Sequence, residues 1–143
     1  MPDDPDPRAL MRAQATAALG TLMDGSPYVS LVLVAFDAEG SPLLLLSRLA
    51  QHTKNLLDDP RVSLLFDGTA GLEDPLTGPR LTLLGSAAPC PDPEALARYL
   101  ARHPSASLYA GFSDFHVYKV TIARGHSVAG FGRIAWMEAE ALL

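Results

Sequence analysis

Cysteine is nearly missing from this chain: Cys90 is the single one in 143 residues. No intrachain disulfide can form, and no thiolate cluster can hold a metal. A reducing cytoplasm is the compartment this composition implies. An excess of positive charge is missing too. The net charge is −5, and Asp3, Asp4 and Asp6 supply three of the 16 acids; the rest nearly balance the 11 bases. A near-neutral body offers no basic face to nucleic acid or to an anionic membrane, so neither is expected as a partner. Long hydrophobic runs are also absent. The longest are LVLVAF at 31–36 and the LLLL at 43–46, far short of the roughly 18 residues that span a bilayer. The opening MPDDPDPR has neither a positive region nor an apolar stretch, so no leader is expected there. What the chain does have is hydrophobic content of 48%, which excludes a disordered protein.

The chain length suits one domain. Residues 1–7 read as a flexible acidic tail and 8–143 as a single domain. Leu10, Ala13, Ala17 and Thr21 recur at helical spacing, which predicts a helix of about three turns from Arg8 running into a strand near Leu19–Met23. Asp24-Gly25 is a hairpin signal. YVSLVLVAF (28–36) is apolar on both faces, as is LLLLSR (43–48), so each strand needs a cover on either side. A barrel interior would cover one side, and a helix or a second subunit the other. A short helix follows at 50–58 with Leu56 and Leu57 turned inward, stopped by Asp59-Pro60. Strands are expected at 61–67 and 80–88, around a Gly- and Pro-rich loop. Asp92-Pro93 starts a further helix, which ends at His103-Pro104. Another strand is expected at 114–122, a last short one at 126–131, and a terminal helix over 133–143. Strands joined mostly by tight turns predict an antiparallel barrel with appended helices, not a doubly wound parallel sheet.

The stretch that could carry chemistry is 43–66. A strand ends at Ser47-Arg48 and a helix begins near His52-Thr53-Lys54. A helix start offers free N–H groups and partial positive charge to a phosphate. Ser47 and Thr53 add hydroxyls, and Arg48 and Lys54 add charge. The same residues also serve as ordinary caps and solvated cations. His52, His103, His116 and His126 show no metal-ligand spacing, so no protein-held metal site is expected. His126, in a glycine-bounded segment, is the best haem-ligand choice among them. GFGR (130–133) lacks a dinucleotide context, and the serines lack a nucleophile elbow.

GSPYVSLVLVAFDAEGSPLLLLSRLAQHTKNLLDDPRVSLLFDG (25–68) resembles the first half of the pyridoxamine-phosphate-oxidase-like split barrels that bind FMN. PRLTLLGSA (79–87) is similar to the family's next strand. YKVTIARGHSVAGFGRIAWM (118–137) resembles the haem-utilisation subgroup. The resemblance implies a six-stranded antiparallel split β-barrel, mainly β with helices, working as a homodimer with FMN between subunits. It places Ser30 along the flavin ring and Leu46 and Ser47 beside the ribityl chain and phosphate. His52, Thr53 and Lys54 fall near the family's phosphate grip, and Arg80 where many members put a flavin-contacting side chain. The second strand lacks the oxidase's Arg and Lys, and its C-terminal substrate motif is absent, so the vitamin enzyme itself is not expected. The expectation is an FMN-dependent oxidoreductase acting on a small molecule with an electron donor. The alternatives are a haem-binding or haem-degrading protein on the same fold, a non-catalytic flavin module, and a deazaflavin in place of FMN.

Overall fold

The structure, a computed structural model, describes residues 6–143. Met1 to Pro5, most of the expected tail, lie outside the described residues. Helix α1 is Pro7–Ala13, with the Arg8 N–H donating to the Asp6 carboxylate at 3.2 Å and Pro7 in the first turn. The helix expected to run on from Arg8 for about three turns is shorter, ending at Ala13, because Thr16–Met23 is strand β1. There Ala17, Leu19 and Thr21 point inward at a period of two, not at the spacing of a helix. Ladders to β2 (Ser26–Leu33) and β5 (Arg61–Asp67) on both sides of β1 override the helix propensity of Ala and Leu. At the hairpin tip Asp24 and Gly25 both take positive φ, 52° and 81°, as a two-residue turn requires.

The remaining strands are β3 (Ala35–Phe36), β4 (Pro42–Ser47), β6 (Pro79–Pro89), β7 (Phe115–Ala129) and β8 (Ile134–Glu138). All pairings are antiparallel, in the order β2-β1-β5-β6-β7-β4-β3, with β8 added beside β7. The two ends of that order, β2 and β3, are one run of chain broken only at Val34. A single segment therefore ties both ends of the sheet, and the sheet curls into a half-barrel. The Val34 N–H donates to the Ala15 carbonyl at 3.0 Å, and the Val34 carbonyl meets His103 Nε2 at 2.8 Å, so the break is satisfied on both sides. Counting β2 and β3 as one, the barrel has seven strands where six were expected; the extra one is β8.

Leu19, Val34, Leu44, Leu64, Phe66, Leu81, Leu83 and Val120 fill the barrel interior. Leu43, Leu45 and Val117 face the other way, onto Ala95 and Tyr99 of helix α3 (Pro93–Arg102) and onto Ala106. This is why 43–46 is apolar without alternation: the barrel covers one face and α3 the other. Helix α2 (Gln51–Asp58) turns Thr53 and Leu56 inward. Leu57, expected beside Leu56, is half exposed, because 100° per residue carries it off the buried face.

The C-terminal expectations need correction. No separate strand starts at 126; β7 continues through it to Ala129, since Gly125 is paired on both sides, with Leu83 and Met137. The helix expected over 133–143 is β8 followed by one turn, α4 (Ala139–Leu142). The open edge of β7 captures Ile134–Glu138 as a strand.

Candidate functional site

The site is built where β2, the end of β4 and the start of α2 meet. Ser30, inward on β2, and His52, in the first turn of α2, lie 22 residues apart, and the Ser30 hydroxyl sits 2.9 Å from His52 Nδ1. His52 lines an open groove of about 340 Å³ with Leu31, Leu33, Leu46, Ser47 and Phe115. The β4–β7 register sets Phe115 directly opposite Ser47. Tyr109 also lines the groove, its ring 4.8 Å from that of Phe115.

Four of the expected site residues, Ser30, Leu46, Ser47 and His52, are thus brought together. Arg48 and Lys54 stand exposed beside them in sequence, and Arg48 reaches the Ser113 carbonyl at 3.4 Å. The others are placed differently. Thr53 is fully buried with its hydroxyl oxygen unpartnered, facing away from solvent. Arg80 is held by the Leu76 and Gly78 carbonyls at 3.0 and 3.2 Å, on β6 beyond the groove. The Ser47 hydroxyl donates to Asp114 at 2.5 Å, which puts a carboxylate at the strand end where a phosphate was expected. Tyr109, Phe115 and Asp114 were not foreseen. Tyr109 and Phe115 reach the groove, and Asp114 reaches Ser47, through the β4–β7 pairing and the turn after α3, and no local motif carries that information.

Partial burial holds the His52 pKa below the usual histidine value. The ring is therefore neutral at pH 7, the form that ligates a metal. The sign of the stability effect follows. The unfolded chain takes up the proton near pH 6.5 and the folded one only lower, so stability is full above that value and falls as the pH drops toward the folded pKa. Thermal melts between pH 7.5 and 5 (an ordinary working window around the reference value) are expected to lose more stability in the unaltered protein than in His52→Gln. Parallel curves would assign the loss to other groups.

Of the other histidines, His103 is committed to Val34, and His116 to the Ser113 carbonyl at 3.1 Å. His126 lies on β7 with its ring 4.4 Å from that of Trp136, over which the Arg124 guanidinium sits at 4.1 Å. Among the described residues no three His, Cys, Asp or Glu side chains gather as a metal cluster. No helix of the described residues is long and apolar enough to cross a membrane.

A curled antiparallel sheet with a groove at the open edge of β2 defines a split-barrel fold. The chain belongs to the pyridoxamine 5'-phosphate oxidase family, whose sequence pattern matches residues 4–129. It is 41% identical over 100 residues to the chloroplastic non-canonical heme oxygenase HOZ of Arabidopsis thaliana, a match covering 68% of this chain and 30% of that protein. It superposes on a heme binding protein from Mycobacterium smegmatis with a TM-score of 0.87 at 32% identity, over 96% of this chain and 59% of that one. The heme storage protein HutZ of Vibrio cholerae shares the fold, with a TM-score of 0.65 at 20% identity, over 87% of this chain and 94% of that one. The chain thus spans under a third of the plant relative and under two thirds of the mycobacterial one.

Proposed function

We propose that this protein binds haem in the groove at β2, β4 and α2, as a homodimer whose second copy supplies the facing wall. The observation that carries the reading is the Ser30–His52 pair. Haem ligands of this type have one ring nitrogen on the iron and the other fixed by a neighbouring hydrogen bond. Here Nδ1 is fixed by Ser30, and Nε2 has no hydrogen-bond partner among the described residues. Ligation through Nε2 selects the tautomer whose Nδ1–H donates to the Ser30 hydroxyl. Leu31, Leu33, Leu46 and Phe115 provide apolar surface for a large flat ring. Arg48 and Lys54 provide cations for carboxylate groups at its edge.

Bound haem would supply an iron centre for redox or oxygen chemistry. The chain's own part is to orient the imidazole through Ser30, to keep it neutral by burial, and to exclude water with the leucines and Phe115. The relatives named for haem support this choice over FMN. So does the commitment of Ser47 to Asp114 and of Arg80 to its own loop, which leaves fewer donors for a phosphate. The groove in one chain lies near the small end of the ~300–1,000 Å³ usual for cofactor pockets, which favours a second wall.

Titration with hemin should give a saturable Soret band at one haem per chain. His52→Ala should shift that band and weaken affinity well over tenfold. Ser30→Ala should weaken it about tenfold, the size expected when an orienting partner of a metal-bound histidine is lost. An unchanged band in His52→Ala, with a shifted one in His126→Ala, would move the ligand to β7 and overturn the assignment. Saturable binding of FMN without any Soret band would return the flavin reading.

A further inference from the structure

We propose that a notch between α1, α3 and the β3–β4 turn is a second binding site, for a small oxyanion carrying two or more negative charges. Arg12 of α1 and Arg98 and Arg102 of α3 line a cavity of about 480 Å³, with Asp37 on its far side. Arg98 and Arg102 are four apart on one helix and so share a face. Each arginine is anchored through one N–H on a main-chain oxygen: Arg12 on that of Leu143 at 3.2 Å, Arg98 on that of Phe36 at 2.9 Å, Arg102 on that of Ala13 at 3.2 Å. A guanidinium has five N–H groups, so anchoring leaves most of them free for a planar or tetrahedral oxyanion. It also lowers the rotamer freedom that a ligand must freeze.

The carboxylate in the notch does not neutralise these cations. Asp37 is paired with Lys119 at 3.0 Å and accepts from the Glu39 and Ser41 N–H groups at 3.0 and 2.9 Å. Among the described residues no Asp or Glu side chain forms a salt bridge with any of the three arginines. Arg98 also borders the next cleft, which holds Glu39, Asp92 and Glu94, so its charge is shared. Arg12 and Arg102 carry the notch. Small walls at Ala35, Ala38 and Ala101 leave the forks reachable. Two guanidiniums facing one cavity match a ligand with two negative charges better than a monovalent anion. None of these residues lines the His52 groove, so the site stands independently of the haem reading.

The test is calorimetric titration of the full chain at fixed ionic strength with inorganic pyrophosphate, with citrate, and with acetate. Saturable binding of pyrophosphate or citrate, one per chain, and none of acetate is expected. Pyrophosphate alone assigns a phosphate ester as the ligand class, and citrate alone a polycarboxylate. Arg102→Gln should weaken binding about tenfold, as loss of one charge-assisted contact does. Arg102→Lys keeps the charge but not the fork, and should also weaken it while leaving the melting temperature unchanged. No saturable binding by either polyanion, or binding of equal strength in Arg12→Gln/Arg102→Gln, overturns the proposal.

Discussion

Leu31→Asp is expected to sediment as a single chain, and the unaltered protein as the dimer we propose. β2 has one ladder partner, β1, so its other edge is open. Its outward side chains Val29 and Leu31 are 70% and 74% exposed in one copy. The register sets them beside Gly20 and Ala18 of β1, and Leu65 and Leu84 continue the same face across β5 and β6. A long apolar edge strand of this kind is a liability unless something covers it. A second copy is the occupant we propose, because the groove carrying His52 is also lined by Leu31 and Leu33, so the face and the half-walled groove are continuous. Obligate interfaces bury about 2,000 Å² or more. A carboxylate at the centre of such a patch would be desolvated without a partner, at a cost of several kcal/mol. In a lone chain the same residue is solvated, so the variant should stay folded. Analytical ultracentrifugation at low micromolar concentration reads the outcome. Leu76→Asp, in the 68–79 loop, is the control and should leave the assembly intact. A dimeric Leu31→Asp would place the interface elsewhere and remove the second wall from the groove.

Much of this arrangement was legible in the residues, and the failures have physical causes. The unbroken apolarity of 43–46 called for cover on both faces, and the barrel interior and α3 supply it. Asp24-Gly25 and Asp92-Pro93 declared a turn and a helix start through their backbone preferences, and both stand. The segment 16–23 was misread because alanine and leucine satisfy helical spacing as well as a period of two. Only the ladders on either side decide between them, and ladders are not local. β8 was misread for the same reason: its strand state depends on the open edge of β7. At the site, Ser30 and His52 were each picked out, but not as a pair, because the chain between them holds all of β3 and β4. Tyr109 and Phe115 carry no motif at all; the β4–β7 register and the turn after α3 bring them in. The arginine notch draws on three separate segments and was invisible for the same reason.

Gly85→Ala is expected to lower the melting temperature by about 10 °C, the equivalent of roughly 3 kcal/mol in a domain of this size. The β6–β7 register slips between Leu84, opposite Arg124, and Gly85, opposite Ile122, so Ala123 is left over as a bulge. A bulge bends its strand. The bend lets the first half of β7 pair with β4 and the second half with β8. It therefore helps hold the first half of β7 beside β4, where Phe115 stands opposite Ser47. At the bend the strands come so close that a Cβ on residue 85 would collide with the Thr121 carbonyl oxygen. That obstacle is backbone and has no rotamer to move into, so the strands must separate and lose ladder hydrogen bonds. Gly111→Ala is the matched control. Nothing lies within 4 Å of a Cβ there and its φ is ordinary, so its effect should stay within about 0.5 kcal/mol. If the two variants melt together, the bulge tolerates a side chain and the bend is not held by close approach. If Gly85→Ala alone falls, hemin binding by its folded fraction should weaken too, since the groove depends on the first half of β7.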